Sequence, residues 1–481
     1  MLAKVPSSFR LYGLVILAVV AVYFASPTVT AVFFVLTLTA YFFSKDEAFW
    51  LVFFLILSDG FLSFFGLYEA TLIVLPGLPG IEMGQLYIIL AVIKSLGKKP
   101  VTNAFYNTFL YALGIYVVFL IAQGYVVGLS SAMNVQFRLL KWITPIGLFY
   151  AIPRLYRSES DYSRIFHYIF PMAFAILGTQ VFTILMAETP AQFLGGKEKY
   201  EFAVEVTKER TYRGLFNLMI LLITLFGALY HLARQKGSFS NIYLYAVVGA
   251  NFASVFLSAT RGWTIGFSII IMGFMIFVQR LGSRQIATIM GVGALFFIGV
   301  LSTPVIQTQV NNAFKRMLTL EALAKGDLTA NGTLIRLSER GPRVMKHWRE
   351  SPLTGWGFSN YFFDHDDFHV GNQNILLHSG VVGFVLINTF FIFFCYKLYN
   401  RSVSLSIGDT KKQTLLVFVV FFAGWFLIHS TSEQHFFFYF ENPGNGIIQS
   451  VFFSMAGYLY AQGGTEKETS VTINEPEVLE V

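Results

Sequence analysis

Apolar segments of bilayer length recur from one end of this 481-residue chain to the other. They fall at about 11–26, 28–43, 48–67, 84–97, 104–128, 138–153, 162–186, 214–234, 241–260, 263–281, 286–304, 375–397, 414–430 and 447–461, against roughly 17–25 residues needed per crossing helix. Several are short, and 84–97 follows a Gly/Pro-rich break, Pro76-Gly77-Leu78-Pro79-Gly80. About 12–14 transmembrane helices are therefore expected. Only 13% of residues are charged, about half the share of a soluble domain. The fold class that follows is an all-α polytopic membrane protein. The 53 Phe and 24 Tyr read as lipid-facing bulk and interfacial belts, not as an aromatic ligand cage.

The net charge of +7 would point to nucleic acid in a soluble protein. Here loop charge bias explains part of it, and no nucleic acid is inferred. The single cysteine, Cys395, lies inside an apolar segment and excludes both an intrachain disulfide and a multi-cysteine metal site. The basic start, MLAKVPSSFR, runs into an apolar stretch with no A-x-A-like cleavage site, so it reads as a retained first helix.

Lys and Arg in short loops set the orientation. With the N-terminus inside, the inner loops hold Lys45, Lys94, Lys98, Lys99, Arg154, Arg157, Arg164, Arg234, Lys236, Arg280, Arg284, Lys397, Arg401, Lys411 and Lys412. The short outer loops hold only Arg138, Lys141 and Arg261. Both termini are then cytoplasmic, and two longer loops, 187–213 and 305–374, lie outside. The chain divides into a bundle over 1–304, the large outer loop 305–374, C-terminal helices over 375–461, and an acidic tail, 462–481, that reads as disordered.

Chemistry-bearing residues gather in and beside the outer loops. Arg261, in Ser258-Ala259-Thr260-Arg261-Gly262-Trp263, sits between two apolar segments. It either snorkels to the interface or serves a site, since an ionisable group near membrane depth is a functional hypothesis. In Thr333–Glu350, Thr333 is placed to cap a helix, and Arg336, Arg340, Arg343 and His347 recur at helical spacing and would share a face. Pro342 makes a short helix starting there the safer expectation. The plain reading is a solvated basic face; the functional one is a diphosphate site, which wants permanent charge and a planar fork. His365, Asp366, Asp367 and His369 invite a metal reading, but no spaced zinc motif is present. An imidazole beside carboxylates at the foot of a membrane helix suits general-base work better. Arg210 and Arg213 end the 187–213 loop, as interfacial anchors or as further anion ligands. Asp59 is the clearest charge inside an expected span, the kind of residue a transporter would use.

Together these motifs resemble the O-antigen ligase and polymerase superfamily of bacterial envelope proteins. Ser258–Gly262 is close to that family's S-x-S-R-G element, with Thr260 where serine is usual. Pro352-Leu353-Thr354-Gly355-Trp356-Gly357 matches its P-L-x-G-x-G element. His369 stands eleven residues before Gly380 of Gly380-Val381-Val382-Gly383, as the family's histidine does. The usual Asn after that His is replaced by Val370, so His365 and His378 remain rivals. Arg336 matches the loop arginine and Arg213 an earlier one. The matching region runs from about 210 to 385.

The resemblance implies a GT-C-like fold and a metal-independent glycosyltransferase with no cofactor, acting on the periplasmic side of the bacterial inner membrane. Its donor would be a glycan on undecaprenyl diphosphate. Arg261 and Arg336, with His369 as base, are the implied catalytic set; Arg213, Arg210, Arg340 and Arg343 would bind the diphosphate. Membrane lipids surround the chain, and a chain-length regulator protein is an admissible partner. The favoured reaction is polymerisation of lipid-linked repeat units. The alternatives are ligation of the glycan to lipid A-core, and transport of a polyanionic lipid.

Overall fold

A computed structural model describes residues 7–65, 70–73, 80–195, 212, 214–234, 239–282, 284, 303–324, 336–367, 369–406, 409–431, 434–436 and 443–462. Among them the chain is nearly all helix, with one two-residue antiparallel ladder pairing β1 (Thr71–Leu72) and β2 (Ile81–Glu82). Five helical stretches among the described residues are long and apolar enough to cross a membrane: Asn107–Val127, Glu159–Met186, Arg261–Val278, Gly371–Ser404 and Thr410–Ser430. Shorter apolar helices accompany them, including α1 (Ser7–Tyr23), α2 (Pro27–Phe43) and α4 (Met83–Ser95). The chain is thus an all-α membrane protein. The segment expected at 286–304 lies almost wholly outside the described residues, as does the tail beyond Gln462.

Helices without a polar face must be enclosed by others. Among the described residues, three meet that description. In α3 (Glu47–Asp59) the run Trp50–Leu57 is buried. In α11 (Leu218–Arg234) every residue from Met219 to Ala233 is buried. In α19 (Pro443–Gln462) burial is unbroken from Pro443 to Gly457. Rings fill the space between: Phe226 of α11 lies 4.4 Å from Phe452 of α19 and 4.8 Å from Phe418 of α18 (Thr410–Thr431), centroid to centroid. By contrast α5 (Asn107–Val127) turns Tyr111, Ile115, Val118 and Val126 outward. A face that apolar belongs against lipid.

Polar contacts sort into two groups at opposite helix ends. At one end Lys94 pairs with Glu47 at 2.7 Å, Arg164 with Asp46 at 2.7 Å, and Arg234 with Glu159 at 3.0 Å. At the other, the Ala191 N–H donates to Ser63 at 3.0 Å and Lys141 pairs with Glu82 at 2.8 Å. There too the Ser130 N–H donates to Asn360 at 3.0 Å. The same end holds Gln309, near the start of α14 (Pro304–Ala324), whose amide donates to the carbonyls of Tyr212 and Leu257, each at 2.7 Å. This second end carries all the described candidate residues.

Several expectations are corrected. The apolar stretch 138–153 is α6 (Met133–Ile143) and α7 (Gly147–Leu155) joined by a 3-10 turn at Pro145. The interval 305–374 is no simple loop, because α14 opens it. The short helix expected from Pro342 is α15 (Gly341–Trp348), but a π-helical turn over Arg336–Arg340 runs straight into it. Proline is tolerated there because its missing N–H falls in a first helical turn. Asp59 is not a mid-depth charge. It ends α3 and caps another helix, its Oδ2 accepting the Ile220 N–H at 2.9 Å in the first turn of α11. Asp59→Ala should lower stability by about 1–2 kcal/mol, read as a fall in melting temperature in detergent, and Asp59→Asn should restore most of it.

Candidate functional site

The site end is organised by a break in α17 (Gly371–Ser404). Gly380 leaves helical geometry, at φ 60° and ψ −166°. That removes the bonds that the amides of Val381 and Val382 would make to the carbonyls of Leu377 and His378. Buried backbone groups cannot be left unpaired at membrane depth. The Pro352–Gly357 element supplies all four partners. Val381 N–H donates to Pro352 O at 2.9 Å and Val382 N–H to Leu353 O at 3.1 Å. In return Trp356 N–H donates to Leu377 O and Gly357 N–H to His378 O, each at 2.9 Å. The element is held from behind by α5, where Gln123 donates to Gly355 O at 2.8 Å and Leu120 O accepts the Phe358 N–H at 3.0 Å. The P-L-x-G-x-G motif is therefore a plug that completes a broken membrane helix.

One carboxylate then gathers the polar groups just before that helix. Asp367, buried except for 7% of its side chain, accepts from Arg343 at 2.7 Å and Arg340 at 3.5 Å. The same side chain accepts the His369 backbone N–H at 3.0 Å. Asn374, in the first turn of α17, clamps the Asp367 backbone from both sides: its Nδ2 donates to Asp367 O at 2.7 Å and its Oδ1 accepts the Asp367 N–H at 3.1 Å. Arg340 and Arg343 lie three apart on one helical face, so both reach one acceptor. Each guanidinium has five N–H donors and spends a single bond here, so the pair keeps donors and a net positive charge for an anion. Next to it, Asp366 meets Arg138 of α6 at 3.6 Å, and that guanidinium lies over the Phe363 ring at 4.7 Å.

A second network shares α15. His347 Nδ1 bonds Tyr361 Oη at 2.7 Å, and Tyr361 O–H donates to Glu350 Oε2 at 2.7 Å. His365, at the end of α16 (Asn360–His365), bonds the Tyr361 carbonyl at 2.7 Å through Nδ1, and its ring centroid is 3.9 Å from that of His347. Burial, with the neighbouring His365, holds His347 below the usual imidazole range. Burial and the Glu350 carboxylate push Tyr361 up to about 12.

The sequence-derived candidates divide as follows. Arg340, Arg343 and His369 come together on Asp367. His378 is fully buried, with Nδ1 on Ser379 and Nε2 facing the Gln434 amide at 3.2 Å. It is enclosed by Phe358 and Phe362, behind the plug. Arg261 begins α13 (Arg261–Gly273) at the same end; two residues on, Trp263 stands edge-on to His435, 5.0 Å away, next to Gln434. Arg336 starts the π-helical turn, with its side chain outside the described residues. Arg210, Arg213 and Thr333 lie outside them too, although Tyr212 and Gly214 are pinned by Gln309 and Gln180. Among the described residues, no group of three or more His, Cys, Asp or Glu is placed to hold a metal ion.

Sequence reasoning saw Asp367 as a metal-ligand candidate or as a carboxylate beside a basic histidine, and passed over Tyr361 and Glu350. The signal for Asp367 was present: a carboxylate close to an arginine-rich stretch is more often a counter-ion than a metal ligand. Nothing in the sequence announces the Glu350–Tyr361–His347 chain, whose members are not at any motif spacing. No protein-family model and no curated protein matches the chain.

Proposed function

We propose that this protein is a glycosyltransferase of the bacterial inner membrane that polymerises undecaprenyl-diphosphate-linked repeat units on the periplasmic side. The observation that carries the reading is the pair of guanidiniums on Asp367, Arg340 and Arg343, set at the entry of a broken membrane helix. A lipid diphosphate leaving group develops charge as the glycosidic bond breaks, and preorganised donors at that position stabilise the transition state. Arginine suits the task because it is always charged and its planar fork grips phosphate oxygens two at a time. Arg261, Arg336, Arg213 and Arg210 extend the cationic set in this reading, and no metal is needed to neutralise the diphosphate. His369, two residues beyond Asp367, is the imidazole that the family pattern selects to take the acceptor proton. Asp59, the charge that a transporter reading singles out, is engaged in capping a helix. Lysines and arginines at the opposite end, such as Lys94, Arg164 and Arg234, support assigning that end to the cytoplasm in this reading.

The test is a double variant, Arg340→Ala with Arg343→Ala, in cells that make the glycan. Losing two charge-assisted contacts to a phosphate should cost on the order of 10²–10³-fold in polymer formed. Unpolymerised lipid-linked units should build up on the outer face. Accumulation on the inner face would mean a flippase and end the proposal. Polymer that forms normally but fails to reach lipid A-core would mean a ligase.

A further inference from the structure

We propose that His347 and His365 form the subsite for the sugar carried on the diphosphate, their two Nε2 atoms accepting hydrogen bonds from adjacent hydroxyls of that sugar ring. This rests on the glycosyltransferase reading above and leaves the base to His369. The two imidazoles come from different helices, α15 and α16, and their ring centroids lie 3.9 Å apart. Each ring has one nitrogen committed. His365 Nδ1 is 2.7 Å from the Tyr361 carbonyl, which can only accept, so that nitrogen carries the proton. Tyr361 O–H donates to Glu350 Oε2, so Tyr361 Oη accepts from His347 Nδ1. In the neutral form of either ring the lone pair is therefore on Nε2. Among the described residues neither Nε2 has a hydrogen-bond partner, and both stay open to solvent.

Two imidazoliums this close would repel, which disfavours charging both. Burial, with the neighbouring His365, favours the neutral form at His347. Two acceptors side by side select a ligand that brings two donors side by side. Adjacent hydroxyls of a sugar do so, whereas an ionised phosphate or carboxylate has no proton to give. Glu350 adds a further acceptor: its Oε2 takes the Tyr361 hydroxyl, and its Oε1 has no partner among the described residues.

The place suits the sugar next to the diphosphate. His347 lies one helical turn after Arg343, on the face of α15 that meets Asp367 and Tyr361. Side chains four apart on a helix have Cβ atoms about 5–6 Å apart, so a phosphate on Arg343 sets the ring it carries beside the imidazoles. Ligand sites combine apolar and aromatic walls with a few placed polar groups, and a sugar ring has C–H faces and O–H edges to match. Here the aromatic wall is Tyr361, 4.3 Å from His365, and Trp356, 4.1 Å from Tyr361. Trp356 Nε1 donates to His347 O at 3.0 Å, while its backbone N–H belongs to the plug. The subsite is thus tied both to the broken helix and to the helix of Arg343.

The experiment uses the full-length protein in lipid nanodiscs. Its donors are the lipid-linked repeat unit and a series in which each hydroxyl of the diphosphate-linked sugar is removed in turn. Glycosidic bond formation is scored with the same donor or lipid A-core as acceptor. For the wild type, removal of either of two adjacent hydroxyls should raise donor KM about 5-fold with little change in kcat. His365→Phe keeps an aromatic ring in the stack and should raise KM for the complete donor by about the same factor. The double variant, His347→Phe with His365→Phe, should treat the complete donor and those two deoxy donors alike. Wild-type protein that does not distinguish any deoxy donor from the complete one overturns the subsite, and that result needs no variant to fold. So does a double variant with wild-type melting temperature that still discriminates as the wild type does. Wild-type protein inert with the complete donor and both acceptors overturns the glycosyltransferase reading itself, and the subsite with it.

Discussion

Gly380→Ala should destabilise the folded protein by roughly 3 kcal/mol or more. At φ 60° and ψ −166° the backbone lies in a region essentially reserved for glycine, which alone accounts for about 1–3 kcal/mol. The new methyl carbon would also sit 2.3 Å from Leu353 O and 2.5 Å from Gly355 N, both rigid backbone atoms of the plug. Relief requires either the plug to withdraw, which strands four backbone groups, or α17 to straighten, which expels it. The same conflict arises from the other side at Gly355, where an added carbon would lie 2.6 Å from Gly380 N. Melting temperature in detergent is the measurement. Gly114→Ala is the internal control: it lies in α5 with open space around it and should be neutral or slightly stabilising. A Gly380→Ala protein as stable as this control would show that the break is dispensable.

On the proposed glycosyltransferase reading, Asp367→Ala should cost on the order of 10²-fold in turnover, since a displacement of about 1 Å in a catalytic group has that effect. It frees Arg340 and Arg343 from their common acceptor and the His369 backbone from its anchor. Stability should fall by only about 1–3 kcal/mol, because both guanidiniums are partly exposed and regain water. Asp367→Asn keeps an oxygen for the backbone amide but loses the charge, so it should fall between alanine and wild type in donor KM. Turnover unchanged in Asp367→Ala would mean that the two arginines are not held for catalysis. The gain expected from an unrestrained arginine pair is small, because freedom of a long side chain opposes bidentate binding.

Much of this was legible in the sequence for reasons that are local. Apolar run length gives the membrane helices, because a bilayer core sets one length scale. Spacing puts Arg340 and Arg343 on one face, because an α-turn does. What escaped was non-local. The hydrogen-bond exchange between Pro352–Gly357 and Leu377–Val382 joins segments about 25 residues apart, and only the glycines hint at it through positions that no other residue can occupy. His378 and His369 look equally available in a string of letters, yet one is enclosed by Phe358 and Phe362. The π-helical turn before Pro342 escaped because proline statistics favour a helix start and say nothing of a turn already under way. Asp59 misled because hydropathy places it inside an apolar run, while the chain in fact turns at Gly60.

The most direct test is chemical. Purified full-length protein is incubated with an undecaprenyl-diphosphate-linked repeat unit, without metal and without nucleotide sugar, in the presence and absence of lipid A-core. The account predicts a ladder of longer lipid-linked glycans and released undecaprenyl diphosphate without lipid A-core, and loss of both in the Arg340→Ala, Arg343→Ala protein. Glycan appearing only on lipid A-core, or no transfer with either acceptor while the lipid moves between leaflets, would contradict it.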